Sequence, residues 1–166
     1  MLESSEKINY KEGIAKGKFS LLKISYGQAD IKKMLELINE IESMNLTDNE
    51  QLAKLHSYKY FANSSLGIEK EEFQNLKDAL LYADKIENAD RRHYFKSIVY
   101  NNFSIFYDYK KPDSLIYYLK KELDELEKID SNDPELKSEK YQKIALNKLN
   151  IGNFYLGVHE PQRLDL

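Results

Sequence analysis

The stretch from Gly13 to Ser20 is where the sequence comes nearest to a chemical motif, since it reads Gly-Ile-Ala-Lys-Gly-Lys-Phe-Ser. In a phosphate-binding loop, glycine backbone and a lysine surround the phosphates, between a strand and a helix at a fixed spacing. Here the spacing is one residue short, Phe19 follows the lysine, and no strand pattern precedes the glycines. We therefore interpret Gly13 and Gly17 as small residues on a helix face that a neighbouring helix approaches closely.

Histidine is the usual acid–base and metal-binding side chain, and it occurs at His56, His93 and His159. These positions are far apart and show no metal-ligand spacing. We expect His93, which follows two arginines, to be a solvated residue in the first turn of a helix. The chain has no cysteine, so it offers no thiol nucleophile and no thiolate metal site. The sequence therefore predicts no enzyme, no cofactor and no metal.

The composition limits the class of protein and its partners. The 166 residues fit one domain, and a net charge of −3 is spread along the chain without a basic block. We therefore expect no direct nucleic-acid binding by this segment. No apolar run approaches the roughly 20 residues that span a bilayer, so no membrane span is expected. The absence of cysteine is compatible with the cytoplasm and also with the periplasm.

Few glycine and proline residues and much leucine, lysine, glutamate and isoleucine predict long helices. Asp30, Asp48 and Asp133 are good N-cap residues, and Gly27 is expected to end the first helix in a left-handed conformation. Alternation with period two, which is typical of strands, is nowhere sustained. The sequence therefore predicts an all-α fold of about seven helices, at approximately residues 5–26, 30–43, 49–66, 69–87, 90–109, 112–129 and 134–156.

One six-residue pattern occurs twice in the chain. Asn102 to Tyr107 reads Asn-Phe-Ser-Ile-Phe-Tyr, and Asn150 to Tyr155 reads Asn-Ile-Gly-Asn-Phe-Tyr. Each copy closes a predicted helix and is followed by a proline after a short break. Recurrence at a fixed structural position indicates a repeat architecture. The predicted units are helix pairs at residues 5–44, 48–88 and 90–130, with an incomplete fourth unit at 133–166.

These units resemble the tetratricopeptide repeat family. Asn150 to Tyr155 is very close to the Asn-Leu-Gly-Asn-Ile-Tyr form that is common in the first helix of that repeat. The matching residues of the preceding unit are Tyr100, Phe103, Ser104 and Tyr107. Lys23 and Lys148 depart from the pattern, and the units exceed the family's length of about 34 residues. The resemblance implies a right-handed α-solenoid of antiparallel helix pairs in one domain over residues 1–166; an unrelated helical bundle is the alternative.

In proteins of this family, the first helix of each pair lines a concave groove that holds extended peptides or helices. Asparagine suits such a groove because its carboxamide can bond both the N–H and the C=O of a partner backbone. The resemblance implies a groove containing Lys59, Asn63, Asn102, Asn150 and Asn153. The alternative is that these residues face solvent or bond within the stack. A clamp for a terminal carboxylate would in addition need basic residues where Leu146 and Asn150 stand.

The resemblance implies a non-catalytic scaffold that binds a protein or peptide in its groove. The alternative that the resemblance implies is a sensory or regulatory segment of a larger bacterial signalling protein or helix-turn-helix transcriptional regulator, because repeat chains of this kind in low-GC bacteria often precede such modules. Abundant lysine with only three arginines suggests a bacterial gene of low GC content. The incomplete fourth unit leaves Ile151 and Tyr155 poorly covered. Self-association through this C-terminal repeat is therefore a further expectation.

Overall fold

The structure, a computed structural model, describes residues 10–108 and 110–157. Within these residues the chain forms seven α-helices and no strand, which confirms the predicted all-α class. The helices are α1 (Lys11–Gly27), α2 (Ile31–Ser43), α3 (Asn49–Leu66), α4 (Glu69–Asp84), α5 (Ala89–Tyr107), α6 (Pro112–Glu127) and α7 (Pro134–Tyr155). The predicted helix start near residue 5 lies outside the described residues. None of the seven helices has both the length and the apolar character needed to cross a bilayer.

Side chains at the helix starts explain several boundaries. Asp30, Asp48 and Asp133 each accept hydrogen bonds from backbone N–H groups two or three residues further on, as predicted for N-caps. The predicted start of the fifth helix at Asp90 is wrong. Asn88 is the N-cap there, because its side-chain oxygen accepts a hydrogen bond from a backbone N–H of the first turn. Asp90 instead accepts a hydrogen bond from the backbone N–H of Asp130.

Left-handed backbone follows four of the helices that the structure describes, and after α2 the residue concerned is Asn45, with φ of 50°. Gly67 after α3 has φ of 69° and Gly157 after α7 has φ of 67°, which glycine adopts without steric cost. The prediction for Gly27 is wrong, because this residue is the last one of α1 and the left-handed φ of 53° falls on Ala29. A Cβ makes this conformation less favourable by roughly 1–2 kcal/mol. Backbone hydrogen bonds from Ala29 and Asp30 back to the last turn of α1 hold this turn.

The core follows the order of the helices along the chain. Every helix packs against the next one, and α3 also contacts α5. One apolar cluster joins α1, α2 and α3 around Leu22 and Ile41, and the next joins α3, α4 and α5 around Leu76 and Phe103. A third cluster joins α6 to α7 through Leu126. Successive clusters share helices, so burial is distributed along the chain rather than concentrated at one centre.

The two copies of the recurring six-residue pattern have different surroundings. In α5, the rings of Phe103 and Tyr107 lie nearly parallel to the ring of Tyr118 on α6, at centroid distances of 4.7 and 5.6 Å. In α7, the equivalent Tyr155 is 64% exposed, and Leu156 beside it is exposed as well. The difference arises because α6 covers α5, whereas α7 is the last helix that the structure describes.

Candidate functional site

A cleft of about 540 Å³ crosses every second helix of the described chain. Its lining comes from α1, α3, α5 and the start of α7, and α2, α4 and α6 contribute none of it. The lining residues are Lys23, Tyr26, Lys54, Ser57, Tyr58, Phe61, Arg91, Tyr94, Phe95, Ile98, Asp133, Glu135, Leu136 and Glu139. The odd-numbered helices thus share one concave surface, called here the odd-helix cleft.

The lining residues recur at one helical spacing. On α3 they begin at Lys54 and on α5 at Arg91, and in each case the next three lie three, four and seven residues further on. These offsets place four side chains on one face of a helix. Each set starts with a basic residue, has an aromatic residue four positions on and ends with a large apolar one. On α1 the same offsets starting at Lys16 line a depression that shares Lys23 and Lys54 with the cleft.

Aromatic side chains form the apolar part of the cleft. The Tyr26 ring lies 4.5 Å from the ring of Phe61 and 6.0 Å from that of Tyr58, measured between centroids. Burial raises the pKa of Tyr58 to about 12, so its hydroxyl stays neutral over the physiological range. Tyr94 and Phe95 continue this surface on α5, where the Arg91 guanidinium lies over both rings at 5.7 and 5.3 Å.

The basic side of the cleft centres on Lys54. Its side chain is partly buried, and its ammonium makes no ion pair with any residue that the structure describes. Burial lowers the pKa of the Lys54 amine, the negative charges of Glu50 and Glu139 oppose this effect, and the positive charges of Lys23 and Arg91 reinforce it. Arg91 differs, because its Nε donates to Glu50 at 3.0 Å and a second nitrogen bonds the other oxygen of that carboxylate. Lys54 is therefore a partly desolvated cation available to a ligand.

The acidic side of the cleft comes from the start of α7. It consists of Asp133, Glu135 and Glu139. Burial raises the pKa of Tyr94, and a hydrogen bond from its hydroxyl to Glu139 raises it further, so this acid lies against the aromatic surface. The carboxylate of Asp133 is already occupied as the cap of α7. The cleft thus presents basic groups on α1, α3 and α5 and acidic groups on α7.

The five residues predicted for the groove lie elsewhere, and none of them lines the cleft. Lys59 pairs with a glutamate of α2 at 2.7 Å, and Asn63 is partly buried one turn further along α3. Asn102 is only 2% exposed, and its side-chain nitrogen has no hydrogen-bond partner among the described residues. Asn150 and Asn153 are partly buried near the end of α7. The structure therefore brings these residues together only as neighbours within α3 and within α7.

A buried polar network that the sequence did not predict joins α5, α6 and α7. Glu122 accepts hydrogen bonds from the carboxamides of Asn101 at 3.2 Å and Asn147 at 2.7 Å. Burial raises the pKa of Glu122, and the two hydrogen bonds oppose this effect. Asn147 also donates to the backbone oxygen of Leu119 at 2.9 Å, but its own side-chain oxygen is buried without a partner in the described region.

A second buried glutamate, Glu125, lies one turn further along α6 and has the opposite electrostatic surroundings. His93 Nδ1 lies 2.7 Å from one of its oxygens, and the amines of Lys128 and Lys96 lie 3.3 and 3.6 Å from the other. Burial raises the pKa of Glu125, but these three groups together lower it below its usual value. The prediction that His93 is solvated is wrong, since the residue packs against α6 in this network.

Signals for the cleft were present in the sequence as the repeated basic–aromatic–apolar spacing on α3 and α5. The predicted groove residues were taken from the resemblance to the repeat family, which did not point to Lys54 or Arg91. Comparison with protein-family models, curated proteins and solved structures finds no match for this chain. The likeness to tetratricopeptide repeats therefore rests on the residues and spacings of the chain itself.

Proposed function

We propose that the chain is a tetratricopeptide-like right-handed solenoid that binds an extended peptide or protein segment in the odd-helix cleft and performs no chemistry of its own. The observation that carries the proposal is the origin of the lining, which comes only from the first helix of each pair. Stacked helix pairs create an extended concave surface of this kind, and binding occurs there. The recurring spacing of the lining residues on α3 and α5 supports the same proposal.

The chemistry of the cleft supports a peptide as the ligand. Binding sites combine a mainly apolar lining with a few polar groups that orient the ligand, within roughly 300–1,000 Å³. The cleft has an aromatic floor containing Tyr26 and Phe61, and charged groups of both signs at its sides. A peptide can supply apolar side chains for the floor and charged side chains for the edges.

The outer face of α7 supports self-association as a second property. Leu146, Leu149 and Leu156 recur along this face at helical spacing and are all exposed. An exposed apolar stripe of this kind marks an interaction surface. We expect the wild-type chain to form a dimer in sedimentation velocity and Leu149→Lys to shift it to a monomer. A wild-type chain that stays monomeric at high concentration would contradict this.

The experiment for the cleft uses short random peptides selected by display on the wild-type protein, with affinities then measured by fluorescence anisotropy. Ile98→Glu places an unpaired charge in the apolar part of the cleft and should weaken binding at least about tenfold. Ile98 is partly buried and belongs to the cleft lining, so circular dichroism should confirm that the variant retains its helices.

Ile105→Glu is the matched control. Ile105 lies two turns further along α5, is 53% exposed and does not line the cleft. This variant should bind the selected peptides as the wild type does. Equal affinity of Ile98→Glu and wild type for every selected peptide would overturn the proposed function.

A further inference from the structure

The odd-helix cleft separates its charges by helix, and this separation specifies a ligand. We infer that the bound segment is dipolar: it carries a carboxylate that pairs with Lys54, an apolar side chain that packs on the aromatic floor, and a basic group that lies toward Glu135 and Glu139. This inference rests on the proposed function, because it names the chemistry of the segment that the cleft binds.

Lys54 is the anchor for the carboxylate. Burying a charge is costly unless it is paired, and Lys54 is partly buried with no ionic partner in the described chain. Its ammonium lies 5.4 Å from the ring centroid of Phe19, so one side is already occupied by an apolar group. Ser57, one turn further on, uses its hydroxyl to bond the backbone oxygen of Ala53. The partner that the Lys54 ammonium lacks on this side is therefore an anion.

The neighbouring cations differ in whether they are available to bind this anion. Arg91 is satisfied through two hydrogen bonds to Glu50 and through its position over two aromatic rings. Lys23 is exposed and, like Lys54, forms no ion pair among the described residues. A carboxylate placed between Lys54 and Lys23 would neutralise two like charges that now repel each other. A charge-assisted contact of this kind is stronger than a neutral hydrogen bond.

The floor next to Lys54 takes the apolar group. Tyr26 and Phe61 form a tilted ring pair with centroids 4.5 Å apart, and Ile98 lies in the same lining. An aromatic side chain of the ligand would extend this set of ring contacts, each worth about 0.5–1.5 kcal/mol beyond area burial in proteins. The apolar group should lie about 10 Å from the carboxylate, since Lys54 and Phe61 are seven residues apart on one face of α3.

The acidic groups of α7 exclude a ligand that is negative throughout. Glu135 is exposed, and Glu139 is partly buried against the Tyr94 hydroxyl, so both carboxylates bound the cleft on the side away from α1. A second carboxylate in the ligand would be repelled there, whereas a lysine or arginine would pair. The charge order of the ligand therefore determines its direction in the cleft.

The carboxylate of the ligand can come from an acidic side chain or from a chain terminus, and the chemistry at Lys54 is the same. Synthetic peptides distinguish these sources. One has blocked termini and contains an aspartate, a central phenylalanine and a lysine separated by glycines. A second replaces the aspartate by a free C-terminal carboxylate, a third replaces it by asparagine, and a fourth replaces the lysine by a second aspartate.

Isothermal titration calorimetry with the wild-type protein should rank the first or second peptide tightest. The asparagine and double-aspartate peptides should each bind about tenfold more weakly or worse. Lys54→Gln should weaken binding of the tight peptide by about tenfold. It should leave the affinity of the asparagine peptide unchanged, because that peptide has no carboxylate to pair with Lys54. Lys32→Gln, at an exposed lysine of α2 outside the cleft, is the control and should change neither affinity.

Charge exchange separates pairing from a structural role of Lys54. Lys54→Glu should bind a peptide with lysine in place of the aspartate better than the wild type does. If Lys54→Gln leaves all affinities unchanged while Ile98→Glu abolishes binding, the inferred ligand chemistry is wrong and the proposed cleft stands. If Ile98→Glu has no effect on any peptide affinity, the proposed function itself is wrong. If none of the four peptides binds while display-selected peptides do, the dipolar ligand is likewise overturned.

Discussion

Glu122 and Glu125 lie one turn apart on α6, are 3% and 5% exposed, and should respond in opposite directions to replacement by glutamine. Burial raises the pKa of Glu122 above its ordinary value of 4.5, so folding favours the neutral form of this side chain. Stability from this group is fully present below the unfolded-state pKa and is lost as pH rises through the folded-state pKa. At neutral pH, Glu122 is therefore a destabilising charge.

Glu122→Gln removes that charge and keeps the shape of the side chain. The new amide oxygen can still accept from Asn101 and Asn147, and the new NH₂ group can donate to the side-chain oxygen of Asn147, which has no partner in the described region. One added buried hydrogen bond contributes about 0.5–1.5 kcal/mol. The two retained bonds weaken because they lose charge assistance. The net expectation is a gain of about 1 kcal/mol, or roughly 2–4 °C in Tm for a chain of this size.

Glu125→Gln should destabilise the protein. The carboxylate of Glu125 balances His93, Lys96 and Lys128, and its lowered pKa means that its stabilisation is present above the ordinary pKa and is lost as pH falls through the folded-state value. Breaking a buried pair costs about 3–5 kcal/mol, but the cationic partners here are partly solvated. We therefore expect a loss of about 1–2 kcal/mol at neutral pH.

Urea unfolding followed by circular dichroism measures both variants against wild type, from about pH 7 down to about pH 4. The Glu122→Gln difference should shrink toward the acidic end, because the raised pKa of Glu122 means that the wild-type side chain is neutral there. The Glu125→Gln difference should largely persist at about pH 4, because the lowered pKa of Glu125 keeps that carboxylate charged. The reasoning from burial and charge is refuted if Glu122→Gln is less stable than wild type at neutral pH. It is also refuted if the two variants change stability in the same direction.

Three further predictions concern single substitutions and their effects on stability or peptide affinity. Asp133→Ala removes the cap of α7 and should lower stability by about 1 kcal/mol in thermal unfolding, and an unchanged Tm would contradict the capping role. Tyr118→Leu loses its parallel ring contacts with Phe103 and Tyr107, which should cost about 1–3 kcal/mol in urea unfolding, whereas the exposed Tyr117→Leu should stay within about 0.5 kcal/mol. Asn150→Ala should leave peptide affinity unchanged in fluorescence anisotropy, and a loss would assign binding to the groove residues expected from the sequence instead of to the cleft.

Local sequence features predicted the helices well because their causes are local. An aspartate cap needs only the N–H groups two or three residues away, as at Asp30, Asp48 and Asp133. A glycine at a helix end needs only its own freedom at positive φ, as at Gly67. The errors at Gly27 and Asp90 are shifts of one or two residues, where a neighbouring residue took the role instead.

The residues that line the cleft were not among those predicted for the groove, because the direction of a side chain depends on the packing partner of its helix. Asn102 continues the α5 stripe that lines the cleft, one turn beyond Ile98, yet it is buried. Lys59 has the charge expected of a groove residue but faces α2. Nothing within a single helix distinguishes these positions from Lys54, since all are polar residues at helical spacing.

The sequence by itself determined an all-α chain and the starts of most helices, because hydrophobic period, caps and breakers act over a few residues. Only the tertiary structure decided which face is concave, that Lys54 makes no ion pair within the described residues, and that buried Glu122 and Glu125 meet polar groups from neighbouring helices. These outcomes depend on contacts between residues about 25 to 41 positions apart. Such contacts form only when helices pack, and packing selects one face of each helix for burial and leaves another for binding.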